Sequence, residues 1–529
     1  MPSELETETS CASCEGYAKR LASDIVTRSQ TLVQEMQDLR DQVSARKDCD
    51  AHISGLRRLI DSAGVELAAA RSYLDAAEQD PVHGGKQWEL SLASPQTAEA
   101  RFRSSNLSAI EMHWSIIKRC RRLVAVHKQF CVPVKPNLYA KKAAQACAAK
   151  GPGPVSVHAV VDGGAEWVRI ITKSPERLSH EMIEAGWDWG VPRPVDMWEE
   201  LDEEAFMHDL VTLRQVKQMV DVAKAHWHNF LHPRIRIIFT RVRRYQNADL
   251  DMVLEKIHRL GVRNDITIYV ETAESEWVTN EAPVDTAIAI SNLLPRCPDV
   301  AELCEMPLLD TSILIALVSD MCHGHVETEP WMSHDLQSHI KDEQDGNHFV
   351  PYFTDFVGPR RSLRCTRPVA DQLMEITTTM GTVTELERAR ILVSGGSSSD
   401  LQRLSCHPLI DKLPLPLEII EPCDAEWSAK ALVRDHILPH VALEVEKELD
   451  YMPSNCSTFL LGWALPCSIV TSNRALARKI VRSIEASLEN DYPCGPHILA
   501  LSYNRALLTS GPSPRRQEEL QRLAAHTPI

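Results

Sequence analysis

A carboxylate inside an apolar run is the first residue here that could do chemistry. Leu308-Leu309-Asp310-Thr311-Ser312-Ile313-Leu314-Ile315-Ala316-Leu317-Val318 reads as a buried strand ending at Asp310, followed by a helix from Thr311 or Ser312. A charge in such a run is costly unless it is paired, hydrogen-bonded or bound to a metal. In open α/β sheets ligands bind at the carboxyl ends of the strands, where this Asp falls. The plainer reading makes Asp310 the cap of the helix that follows. A second carboxylate, Glu385, lies in Gly381-Thr382-Val383-Thr384-Glu385-Leu386-Glu387-Arg388. Thr382 or Thr384 can cap a helix whose first turn then holds the glutamates, so the plainer reading is a well-capped helix and a chemical role requires Glu385 to stand beside Asp310. Asn473 ends the apolar strand Ile469-Val470-Thr471-Ser472-Asn473.

Cations and thiols offer other chemistry. Arg234, Arg236, Arg241, Arg243 and Arg244 are five arginines within eleven residues, the densest basic cluster of the chain. Several arginines in one place suit a polyanion such as RNA, and binding of that kind is steeply salt-dependent. Lys118, Arg119, Arg121 and Arg122 form a smaller cluster, read as a solvated face. Cys322-His323-Gly324-His325 could hold a metal, with a turn at a helix end as the plainer reading. Cys11 and Cys14 make one CxxC with no second pair at zinc-finger spacing. Asp162, Glu166 and Arg169 can be cast as a metal-nuclease motif, but a hairpin turning at Asp162-Gly163-Gly164 accounts for them without chemistry.

The whole chain sets limits on these options. Its 529 residues exceed one compact core. A net charge of -16 argues against a generally basic nucleic-acid coat, and 5% aromatics leave few stacking platforms. Fifteen irregularly spaced cysteines and an acidic, polar start without a secretory signal point to reduced thiols in cytosol or nucleus. The run Phe459 to Val470 is apolar but short and contains Pro466, so it reads as a core strand rather than a membrane span.

The elements that must position these residues follow from periodicity. Residues 1–15 are expected to be disordered. Residues 16–150 read as a helical region, opened by two amphipathic helices in an antiparallel hairpin and carrying a third helix over Leu107 to Phe130. Residues 151–285 read as a smaller α/β domain, with a hairpin and then a parallel strand-helix-strand unit over Arg234 to Val270. That unit has no Gly-rich phosphate loop, so a nucleotide-cofactor fingerprint is absent. The acidic stretch Glu199 to Glu204 reads as a helix start. Residues 286–510 alternate apolar strands with capped helices, which predicts an α/β domain with a mostly parallel sheet. Lys341 to Asn347 reads as a mobile loop within it, and 511–529 as a tail.

The order of these pieces resembles the PIN-domain-like superfamily of metal-dependent nucleases, and within it a eukaryotic PIN-like family of unknown function. The resemblance rests on Ser105-Asn106-Leu107, on Gly163-Gly164 with Trp167-Val168-Arg169, and on Leu309-Asp310-Thr311-Ser312 through Ser319. It also rests on Glu385 with Glu387-Arg388-Ala389 and on Thr471-Ser472-Asn473. It implies a C-terminal PIN-like domain. In active members, clustered carboxylates hold Mg²⁺ or Mn²⁺, which activates water for phosphodiester hydrolysis. Carried over, Asp310 and Glu385 would be metal ligands, with Glu387 a lesser substitute for Glu385, and Asn473 would orient a water. A Gly-Asp pair expected before the last strand is Gly462-Trp463 here, and no Asp or Glu occurs from Tyr451 to Ala475. The resemblance therefore implies either a divalent-metal-dependent ribonuclease or a non-catalytic scaffold for RNA or for a protein partner, the latter engaged through the helical region.

Overall fold

The computed structural model describes residues 4–45, 53–78, 95–131, 154–186, 210–279, 284–294, 303–421, 428–449, 451–487 and 495–508. The chain is α/β and divides into two compact units, with the boundary after Pro295. Among the described residues no helix is long and apolar enough to cross a membrane. The expected helix start at Glu199 to Glu204 and the tail from residue 511 lie outside the described residues.

In the first unit α1 (Glu4–Ala45) and α2 (Leu56–Glu78) form the expected hairpin. Ala18, Ala22, Ile25, Leu32, Met36 and Leu39 of α1 are buried against Leu59, Ile60 and Ala63 of α2, an apolar stripe of helical period with Ala22 rather than Leu21 at its centre. The helix starts at Glu4, inside the stretch expected to be disordered. The third helix is shorter than expected. It ends at Ile117 (α3, Leu107–Ile117), and Ala125–Phe130 is strand β1. β1 pairs antiparallel with β2 (Val155–Val161), and β2 with β3 (Glu166–Ile171) across the Asp162-Gly163-Gly164 turn. Gly163 and Gly164 have φ of +70° and +122°, which favours glycine at both positions. Parallel strands β4 (Arg234–Phe239) and β5 (Ile268–Glu271), joined by α4 (Ala248–Asn264), complete the order β1-β2-β3-β4-β5. The helical stretch and this sheet share one core, where Leu107 and Trp114 pack with Val161, Val168 and Ile238. They therefore form one unit rather than a helical region followed by a separate α/β domain.

The second unit is built on five parallel strands: β6 (Leu308–Leu309), β7 (Arg364–Thr366), β8 (Glu418–Ile420), β9 (Ile469–Thr471) and β10 (Ile498–Ala500). Their order is β10-β9-β6-β7-β8. The chain steps outward from β6 in one direction and returns to lay β9 on its other side, so the topological switch point lies between β6 and β9. Helix α5 (Thr311–Val318) leaves β6 and runs through the core, with Ile313, Leu314, Ala316, Leu317 and Val318 at most 1% exposed. It packs with α6 (His334–Gln344), α7 (Phe349–Val357), α8 (Arg367–Met380) and α9 (Val383–Val393) around Phe349, Phe353 and Leu373. The expected mobile loop at Lys341 to Asn347 is mostly the last turn of α6, held because Glu343 is buried.

The run before the last polar strand is not a strand. Pro453–Ala464 is helix α10, and β9 begins only at Ile469. Apolar residues on most faces of a buried helix give no period that separates it from a buried strand. A strand would place Phe459, Leu461, Trp463 and Leu465 together on one face, but the first three are buried while Leu465 is 38% exposed. Helix α11 (Arg474–Ser487) follows β9.

Candidate functional site

Asp310 leaves β6 at the switch point, as its place after Leu308-Leu309 predicts. Its backbone N–H donates to the Val470 carbonyl, tying it to β9. Its side chain is 2% exposed and turned inward. One carboxylate oxygen accepts from the Ile313 N–H at 3.1 Å and the Ser312 hydroxyl at 2.6 Å, and the other accepts from the Thr471 hydroxyl. Asp310 is thus the N-cap of α5, the plainer of its two readings. Burial raises its pKa, and the hydroxyl and N–H donors oppose that rise.

Hydroxyls and amides surround this carboxylate. Ser312 Oγ accepts from the Ser472 N–H at 2.9 Å, and Thr471 Oγ1 accepts from the Asn473 N–H at 2.9 Å. Thr311 and Ser454 both donate to Gln372 Oε1 at 2.6 Å, and Thr366 bonds Ser457 at 2.8 Å. Ser472 Oγ is buried without a partner. Asn473 lies one residue from this network but is exposed, and its side chain accepts from Leu476 N–H at 3.1 Å, in the first turn of α11.

Glu385 is elsewhere. It is the N3 residue of the capping box that opens α9, with Thr382 as the cap. Its carboxylate also accepts from the Asp320 N–H at 3.1 Å and the Leu508 N–H at 2.8 Å, and it is fully buried. Burial raises its pKa against these two backbone donors and the Thr382 N–H, which donates to it at 2.9 Å. Asp320 lies just past the carboxyl end of α5, whereas Asp310 caps the amino end. Eight helical residues at 1.5 Å each put roughly 12 Å between the two ends. The structure therefore joins Asp310 to the Asn473 strand and does not bring Glu385 to either. The expected convergence of all three fails because each carboxylate is used to finish a helix. Glu387, the substitute ligand, is exposed on α9.

Trp463 does not stand at the site either. Ser454, in the first turn of α10, reaches Gln372 beside Thr311, while Trp463 is in the last turn. Nine residues of helix, roughly 13 Å, separate them. Gly462 packs where α10 crosses the sheet, and a Cβ there would lie 2.3 Å from Ile469 Cγ1. Mg²⁺ and Mn²⁺ take oxygen ligands from several carboxylates or waters. The Asp310 neighbourhood instead offers one inward-turned carboxylate among hydroxyls, so these residues do not fit such an ion.

The arginine cluster divides in two. Arg236 pairs with Glu166 at 2.6 Å and with Glu271, and lies over the rings of Tyr269 and Trp277. Arg234 pairs with Asp162 and stands 3.6 Å from Glu166. These two hold the sheet together, and they consume the acids of the nuclease-like reading of Asp162 and Glu166. Arg169 donates to the Ser156 carbonyl at 2.6 Å. Arg241, Arg243 and Arg244 are exposed beyond the carboxyl end of β4. Arg244 reaches the Val270 carbonyl at 3.5 Å, its backbone N–H donates to Glu274 at 2.9 Å and, against burial, its charge adds to the hydrogen bonds that lower the Glu274 pKa; among the described residues no carboxylate lies within 4 Å of the three guanidinium groups.

Of the metal reading at Cys322 to His325, His323 is spent on the fold. Its Nε2 donates to the Leu317 carbonyl at 2.6 Å, and burial holds its pKa near 3. Cys322 lies in a short 3-10 turn, as the plainer reading has it, and the described cysteines are free. The one group of metal-ligating side chains found among the described residues, Glu343, His348 and His407, was not singled out from the sequence. No protein-family model, curated protein or solved structure matches this chain, so the PIN-like resemblance stands on its motifs alone.

Proposed function

We propose that this chain is a PIN-like scaffold that binds partners and does not cleave nucleic acid. One observation carries the reading: the two carboxylates that a nuclease would bring to one metal lie at opposite ends of the same buried helix, Asp310 capping the amino end of α5 and Glu385 opening α9 and holding the Asp320 turn just past the carboxyl end of α5. Both oxygens of Asp310 already accept hydrogen bonds from the protein. Exposed Arg241, Arg243 and Arg244 favour a polyanion, RNA among them, as one ligand of the scaffold.

A single experiment addresses both parts. Labelled single-stranded RNA is incubated with the full chain and Mg²⁺ or Mn²⁺, beside Asp310→Asn, and both cleavage and retention are read. The expected result is no metal-dependent cleavage above the control. Retention should fall steeply with salt and be lost in the triple variant R241E/R243E/R244E. Metal-dependent cleavage abolished by Asp310→Asn would overturn the scaffold reading. Retention unchanged in the triple variant, or no retention by the unmodified chain, would remove RNA as its ligand.

A further inference from the structure

We propose that Glu343, His348 and His407 form a binding site for a transition-metal ion of the zinc class, separate from the Asp310 neighbourhood. One ligand atom from each lies within 4.8 Å of the other two. The three come from different elements. Glu343 is in the last turn of α6, His348 immediately precedes α7, and His407 precedes the short 3-10 turn Pro408–Lys412. They line a cavity of about 230 Å³, into which His325 and Cys406 also open. Both of those are exposed, so a further ligand can come from either or from water.

The geometry is close to what a tetrahedral ion needs. Bonds of about 2.0–2.1 Å to His and Glu place neighbouring ligand atoms about 3.3 Å apart. Glu343 Oε2 is 3.4 Å from His348 Nδ1. The His348 and His407 rings are 5.1 Å apart, and His348 is 42% exposed, which leaves it room to turn inward.

The carboxylate is held in a way that suits a ligand. Glu343 is buried, and its Oε1 accepts from Arg505 Nε at 2.7 Å, from the Phe349 N–H at 3.0 Å and from the Cys322 thiol. Those donors load Oε1 heavily, while Oε2 shares only the Phe349 N–H, at 3.3 Å, and faces His348. Outer hydrogen bonds of this kind fix the orientation of metal-ligating carboxylates. Two imidazoles, a carboxylate and a nearby thiol select zinc, cobalt, nickel or copper over Mg²⁺.

The test is titration of the full chain with Zn²⁺, followed calorimetrically, and with Co²⁺, followed by the visible bands of tetrahedral cobalt. It is run in a Cys11→Ser/Cys14→Ser background so that the CxxC does not contribute. His348 and His407 make no side-chain cap hydrogen bond, so replacing either leaves its helix start intact. One Zn²⁺ per chain is expected. H348A and H407A should each weaken binding at least about tenfold, and the pair should abolish the cobalt bands with the metal-free melting temperature unchanged. Asp310→Asn should bind Zn²⁺ as the parent does, which separates this site from the scaffold reading. Absence of Zn²⁺ binding, or equal binding by the double variant, would overturn the proposal. Lost binding accompanied by a lowered metal-free melting temperature would be traced with the milder His407→Gln, which must then fold normally and still bind at least about tenfold more weakly.

Discussion

Asp310→Ala separates a structural carboxylate from a ligand by the sign of its effect. Removing the side chain deletes the cap of α5, which costs about 0.5–2 kcal/mol. It also strands the buried Thr471 hydroxyl, at about 1–3 kcal/mol. Against this stands the relief of a carboxylate whose burial raises its pKa. Thr471 can also rotate, and a water can occupy the space left. The net loss should be about 2–4 kcal/mol. Asp310→Asn keeps an oxygen for Ile313, and Thr471 Oγ1 can accept from its amide, so the loss should be about 1 kcal/mol. The assay is hydrogen exchange of the peptide covering Leu309–Val318, at pH 7 with EDTA present. Exchange limited by local opening should accelerate roughly 30- to 900-fold in Asp310→Ala, since each 1.4 kcal/mol is tenfold. A carboxylate held ready for a metal behaves in the opposite way, because such sites are strained without their ion and gain stability when neutralised. Unchanged or slower exchange in Asp310→Ala would refute the cap assignment and return Asp310 to the ligand reading.

Two further outcomes test the same architecture. Gly462→Ala should destabilise the second unit by about 1–3 kcal/mol, because the new methyl meets Ile469 at 2.3 Å; a urea titration of the variant beside a Gly462→Ala/Ile469→Val pair reads it, and the pair should recover part of the loss. Asp310 and Glu385 should make the second unit less stable as pH rises from their unfolded values, about 3.9 and 4.3, through their raised folded values. The native state keeps these protons longer than the unfolded chain does, so the slope of stability with pH is negative there. Asp320 acts in the other direction. Burial opposes its charge, but Thr382, Thr384 and Arg388 win and lower its pKa, so its contribution is lost as pH falls through that lowered value. Urea midpoints between pH 3 and 7 for Asp310→Asn against the parent isolate the first effect. A ratio that does not move toward the variant as pH rises would contradict it.

Much of this arrangement was legible wherever local pattern alone decides the outcome. An Asp between an apolar strand and an apolar helix offered a cap at Asp310 beside the ligand reading, and Thr382 or Thr384 ahead of the glutamates marked a capped helix start; the structure shows the cap and makes Thr382 the capping residue. The α1-α2 stripe and the strand-helix-strand unit followed from period alone. Misreadings fell where tertiary partners decide. Ala125–Phe130 carries His, Lys and Gln and becomes a strand only by pairing with β2. Phe459 to Ala464 is helical because it crosses β6 and β9 with Gly462 at the contact. The Glu343-His348-His407 group had no local signature, since α6, α7 and a distant 3-10 turn bring it together. The Cys322 to His325 stretch pointed near it, but of that stretch only His325 opens to the cavity as a potential ligand.

The residues that suggested a nuclease can be derived again from one physical demand. Helix α5 is apolar almost all round and lies inside the core, with Ile313 near its start and Leu317, Val318 and Ser319 at its close buried. A helix leaves four N–H groups and four carbonyls without partners, and buried ones must find protein. Asp310 takes the Ile313 N–H at the amino end. At the carboxyl end His323 donates to the Leu317 carbonyl and Arg388 to the Val318 carbonyl at 3.0 Å. Arg388 is itself buried, so it brings Asp320 as a counter-ion at 2.6 Å. Glu385 then accepts the Asp320 N–H, which holds that turn against α9. Asp310, Asp320, Glu385 and Arg388 thus form a connected requirement of a buried helix, spread over its two ends. A metal centre needs the same residue types gathered at one end. Residue type and order along the chain are common to both cases, and only the span of α5 between Asp310 and Glu385 tells them apart.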